Sequence, residues 1–173
     1  MEQNVNEKKN NIILIGMPGV GKSSAGIVLA KKLGYSFIDS DLLIQEQEGM
    51  LLHEIIEQKG LGVFNDIENQ VNAAIEAERS VIATGGSVVY GEEAMQHLKL
   101  IGRVVYLYLP YHKLEERLGD LNERGVSMQP EQTLKSLYKE RAPLYEAYAD
   151  LTINCDNLPI RLVVKRIAEL INF

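Results

Sequence analysis

The chain has 173 residues, 46% of them hydrophobic, a formal net charge of -6 and one cysteine. That length suits one domain with one buried core, and the acidic balance argues against a nucleic-acid partner, which needs a basic face. One cysteine excludes an internal disulfide, no cluster has zinc-ligand spacing, and no apolar run approaches a membrane span; a cytoplasmic monomer that contacts neither nucleic acid nor membrane is expected.

Residues 1–10 are polar and mixed in charge, and they lack the apolar core of a secretory leader. They read as a flexible tail ahead of a single domain over 11–173. Short, continuously apolar strands are expected at 11–15, 36–38, 80–83, 103–107 and 151–154. Helical patterns fall at 22–33, 41–47, 52–59, 62–77, 92–99, 111–119, 130–149 and 159–171. Apolar strands alternating with helices read as a three-layer, doubly wound α/β fold with a five-stranded parallel sheet. Ligands of such folds bind beyond the carboxyl ends of the strands. Cys155 follows the last strand pattern and reads as a buried structural thiol.

The first strand runs into Gly16-Met17-Pro18-Gly19-Val20-Gly21-Lys22-Ser23, and a helix follows at once. Glycines there let consecutive N–H groups turn inward, and the new helix adds its positive end, so a polyphosphate fits. Lys22 reaches the β- and γ-phosphates, and the Ser23 hydroxyl ligates Mg²⁺. Gly16, Gly19, Val20, Gly21, Lys22, Ser23 and Ser24 are the candidate triphosphate site.

Asp39-Ser40-Asp41 ends the second strand. One carboxylate can orient a metal and the other accept a hydroxyl proton, or the segment is simply a helix N-cap. Thr84-Gly85-Gly86-Ser87 ends the third strand and allows close backbone approach to an oxygen-rich ligand, or is a plain turn. Arg117, Arg124 and Arg141 read by themselves as ordinary surface arginines. The polar stretch around Arg124, at about 119–128, has the character of a mobile lid over a nucleotide.

Together these motifs resemble the shikimate kinase family, small P-loop kinases with a nucleoside-monophosphate-kinase-like build. The resemblance spans nearly the whole chain: Gly16–Ser23, Phe37-Ile38-Asp39-Ser40-Asp41, Phe64 with Glu68, Ala83-Thr84-Gly85-Gly86, and Glu140-Arg141-Ala142-Pro143-Leu144-Tyr145. It implies transfer of the ATP γ-phosphoryl to the 3-hydroxyl of shikimate. On this resemblance Lys22, Asp41 and Arg124 are catalytic, and Ser23 and Asp39 serve the metal. Arg117 packs on adenine, while Asp41, Gly85, Gly86 and Arg141 bind the acceptor.

The chain departs from the family pattern at three places. Asn65 stands where the family carries an arginine that shares the substrate carboxylate with the counterpart of Arg141. A hydrogen bond involving a charged group contributes roughly 1.5–3 kcal/mol against about 1 for a neutral one, so a tenfold to few-hundredfold loss of affinity is expected. Glu68 is expected to lose its partner. Ser87 replaces a third glycine and is expected to intrude on the acceptor pocket with Asn65. Residues 124–128 read Arg-Gly-Val-Ser-Met where the family lid reads Arg-Pro-Leu-Leu. The alternatives are a kinase for another small polyol or hydroxy acid, gluconate-like, and a nucleotide-binding regulatory module.

Overall fold

The computed structural model describes residues 9–118, 126 and 128–171. Five strands form one sheet: β1 (Asn11–Ile15), β2 (Ser36–Asp39), β3 (Ser80–Ala83), β4 (Gly102–Tyr108) and β5 (Leu151–Asn154), in the order β2-β3-β1-β4-β5. Every neighbouring pair is parallel, with Ile13 opposite both Ile82 and Val104. The three central strands are the most apolar and the most buried, whereas the edge strands β2 and β5 are partly exposed. A parallel strand covered on both faces has no polar side to show, so apolarity and central position go together.

The helices are α1 (Lys22–Leu33), α2 (Ser40–Glu48), α3 (Leu52–Lys59), α4 (Leu61–Ala73), α5 (Glu92–Ile101), α6 (Tyr111–Arg117), α7 (Leu134–Tyr148) and α8 (Ile160–Leu170). Right-handed crossovers put α1 and α8 together on one face, and α4, α5 and α7 on the other. A large core between the layers centres on Ile12–Ile15, Val81, Ile82 and Val104–Leu107. A smaller cluster, Ile44, Ile55, Phe64 and Val71, packs α2, α3 and α4 into a cap beside the carboxyl ends of β2 and β3.

Helix ends fall within two residues of expectation except at two places, each displaced by four. The helix expected to reach residue 77 ends at Ala73. Beyond it the carbonyls of Ile75 and Ala77 are bonded by the His97 ring and the Asn11 amide, at 2.7 Å each, so they are unavailable to a continuing helix. The helix expected from residue 130 starts at Leu134, because Thr133 and Ser136 form a reciprocal capping box. The helix at 111 stops at Arg117 instead of 119. A short 3₁₀ turn, Val88–Tyr90, was not foreseen and connects β3 to α5.

Candidate active site

The loop between β1 and α1 opens with Gly16 at φ 147° and continues through Gly19 at 84°. Both conformations are strained for any other residue, and a Cβ on Gly16 would stand 2.7 Å from the Leu107 carbonyl oxygen. Lys22, the first residue of α1, is buried and donates to the carbonyls of Gly16 and Met17 at 2.7 and 3.0 Å. Burial lowers its pKa to about 8, against the opposing pull of Asp41.

Asp39 ends β2 and serves two purposes at once. Its Oδ1 accepts from the Asp41 amide at 3.0 Å, capping α2, and its Oδ2 accepts from the Ser23 hydroxyl at 2.9 Å. Capping and site-building, alternatives in the sequence, are the same geometry here. Asp41 sits in the first turn of α2, facing Lys22 across the cleft. Burial first, and then the Asp39 charge, raise its pKa to about 6, partly offset by Lys22.

The end of β3 supplies the far wall. Thr84 anchors it by donating its hydroxyl to the Leu14 carbonyl at 2.8 Å. A Cβ on Gly85 would lie 2.5 Å from Glu68 Oε2 and 2.8 Å from Asp41 Oδ1, and one on Gly86 would lie 3.0 Å from Arg141 Nη1. Only glycines let the two carboxyls and the guanidinium come this near the strand end. The resulting cleft, about 450 Å³, is lined by Pro18, Gly19, Gly21, Lys22, Ser23, Ser24, Asp41, Thr84, Gly85 and Gly86. A second cavity, about 310 Å³, opens behind the loop between Val20, Gly21, Arg117, Cys155 and Pro159. The Arg117 guanidinium leans over it and donates to the Val20 carbonyl at 3.3 Å. Cys155 is buried there, and its thiol pKa is pushed up to about 11 by desolvation.

Arg141, on α7, is 1% exposed. One turn further on, Tyr145 stacks on Tyr106 and donates to the Gly86 carbonyl at 2.5 Å. These two residues tie α7 to the glycine strand end.

Two departures look different in three dimensions. Glu68 does have a partner: the Ser87 hydroxyl donates to its Oε1 at 2.5 Å. Ser87 is therefore not an intruder on the cleft wall; it is buried and turned toward α4. Glu68 Oε2 has no hydrogen-bond partner, and burial raises this acid to about 7, against the Ser87 bond. Asn65 lines a neighbouring cavity of about 300 Å³ with Leu61, Tyr90, Met128, Gln132 and Glu140. Arg124 and most of the expected lid lie outside the described residues. Tyr90 belongs to no motif and escaped sequence reasoning; Tyr145, Ser87 and Glu68 stand in the motifs, but the bonds of Tyr145 to Gly86 and of Ser87 to Glu68 were not legible there.

A Gly-rich phosphate loop at a strand–helix junction, with an Asp-x-Asp on the next strand of a five-stranded parallel sheet, defines the P-loop kinases. Within that class a family model described as "Shikimate kinase" matches residues 18–172. The chain is 37% identical to the shikimate kinase of a Sulfurihydrogenibium species, over 91% of this chain and 95% of that one. A shikimate kinase from Acinetobacter baumannii, solved in complex with shikimate, superposes with a TM-score of 0.82 at 33% identity, covering 95% of this chain and 93% of that one. The Aquifex aeolicus shikimate kinase gives 0.77 at 33% identity, with 92% and 94% covered. The chain belongs to the shikimate kinase family.

Proposed function

We propose that this protein transfers the γ-phosphoryl group of ATP to the 3-hydroxyl of shikimate, a small, singly charged hydroxy acid. The observation that carries this reading is one cleft in which the phosphate loop, Asp41 and the Gly85–Gly86 strand end converge beside a buried arginine. The phosphate loop takes the triphosphate, with Ser24 at its outer edge and Arg117 over the base. Asp41 accepts the proton of the acceptor hydroxyl as its oxygen attacks the γ-phosphorus and ADP leaves. Lys22 stabilises charge on the transferring group, and Arg141 holds the acceptor carboxylate. Arg124 contributes a further charge from the expected lid. Little covalent assistance is needed, so positioning and electrostatics carry the rate.

The hydroxyl of Ser23 and the carboxylate of Asp39, 2.9 Å apart, are hard oxygen donors of the kind Mg²⁺ accepts. Among the described residues no group of three or more acidic, His or Cys side chains forms a metal cage, which fits an ion bound mainly through phosphates and water. Bound there, Mg²⁺ would neutralise charge on the phosphate oxygens.

The test is ADP release from Mg²⁺–ATP with and without shikimate, with mass identification of the product. Shikimate-dependent ADP release and a product one phosphoryl group heavier support the reading. ATP binding without stimulation rejects it, and stimulation by gluconate or a neutral polyol instead redirects it to that acceptor.

A further inference from the structure

Arg141 is almost wholly buried yet always charged, so its orientation must be fixed by the groups around it. Tyr90, at the end of the 3₁₀ turn after Ser87, makes a compact set of contacts with it. The tyrosine hydroxyl accepts from Arg141 Nε at 3.3 Å and donates to Glu140 Oε1 at 2.5 Å. The guanidinium carbon also lies 5.3 Å from the centre of the Tyr90 ring. Glu140 Oε2 in turn accepts from the Gln132 amide at 3.0 Å. One hydroxyl thus grips two consecutive residues of α7, although their side chains leave the helix about 100° apart. The arrangement brings Arg141 Nη1 toward Gly86, on the wall of the cleft.

We infer that Tyr90 is a positioning residue for the acceptor carboxylate: it holds the Arg141 fork in the orientation that receives it. This rests on the shikimate reading above. A guanidinium recognises a carboxylate through a planar fork, so a rotation that leaves the charge in place still loses the fit. The Tyr90 hydroxyl fixes Nε, and the ring face restrains the plane. Asn65 brings no charge of its own to the neighbouring cavity, which puts more weight on the aim of Arg141. Tyr90 is 37% exposed, so Tyr90→Phe, which keeps the ring, takes nothing from the core.

The experiment compares wild type with Tyr90→Phe, which keeps the ring and deletes both hydroxyl bonds. Two ligands are used: shikimate, and its analogue with the carboxylate reduced to a hydroxymethyl group, the latter measured as a competitor. The expected result is a three- to tenfold rise in the KM for shikimate, with kcat and the KM for ATP within twofold, and no change in competition by the analogue. Glu140→Gln, an exposed substitution at the far end of the relay, is expected to raise the shikimate KM about twofold and serves if Tyr90→Phe does not fold. An unchanged shikimate KM, an equal loss with both ligands, or a fall in kcat alone overturns the positioning role. Wild-type enzyme that ignores shikimate overturns the acceptor reading, and this inference with it.

Discussion

Replacing Glu68 with glutamine should become steadily more favourable as pH rises through neutrality. Glu68 is buried to 2% exposure, Oε2 has no partner, and its pKa rises from 4.5 to about 7. A group that binds its proton more tightly in the folded protein supports folding at low pH. It loses that support as pH climbs from the unfolded pKa to the folded one. At about 1.4 kcal/mol per unit, the cost of ionising the acid is on the order of 3 kcal/mol at pH 8 and under about 1 kcal/mol at pH 5. Glutamine has the same shape, still accepts from Ser87 and cannot ionise. The stability of Glu68→Gln relative to wild type should therefore improve by roughly 2–3 kcal/mol between pH 5 and pH 8. Urea unfolding of both proteins at the two pH values measures the difference directly, because contributions from distant groups cancel. A gap that stays constant within about 0.5 kcal/mol would mean that Glu68 is ionised in the folded protein throughout, and would refute the reasoning.

The pH profile of kcat/KM should be bell-shaped. Activity falls below about 6 as Asp41 takes a proton and above about 8 as Lys22 loses one, with Asp41→Asn removing the acid limb along with the activity. Asp41→Asn itself should lower kcat at least a thousandfold while leaving ATP affinity within about threefold by titration, as expected for a base that does not touch the nucleotide; retained turnover removes the base role. Asn65→Arg should lower the shikimate KM roughly three- to tenfold, by adding a cation beside Arg141. No gain would mean that Glu140, on the same cavity, captures the new charge. Gly86→Ala should raise the shikimate KM more than tenfold with ATP binding retained, because its Cβ meets Pro18 at 2.7 Å and Arg141 at 3.0 Å.

The sheet was readable from the chain because each strand is a short apolar run bounded by glycine or charge, and parallel burial makes that pattern strong. β1, β3 and β5 fall at the expected residues, while β2 and β4 extend one residue or two further. Helix ends were less legible. Ala73 and Thr133 mark boundaries set by His97, Asn11 and a capping pair, which act across space or through hydroxyl geometry that periodicity ignores. The loop at 16–23 announced itself because a phosphate cradle needs particular glycines at particular spacing. Ser87 was harder. Nineteen residues separate it from Glu68, and only the packing of α4 over the end of β3 lets one hydroxyl serve that acid. Tyr90 carries no signal at all in a single sequence, since an exposed tyrosine after two valines is unremarked until Arg141 lies against it.

At the opposite end of the sheet, Asn11 is wholly buried and spends its entire amide on three backbone groups. It donates to Ala77 and Ile101 at 2.7 and 2.9 Å and accepts from the Ser80 amide at 3.0 Å. A single side chain thereby stitches the amino ends of the three central strands. The consequence is evolutionary. With the frame secured at the end away from the chemistry, residues around the acceptor can be exchanged in compensating sets without endangering the scaffold. Asn65 is uncharged and Ser87 bonds Glu68, so the acid is served by a hydroxyl instead of relying on a cation at position 65. A change of grip at one end of the sheet therefore leaves the platform at the other end intact.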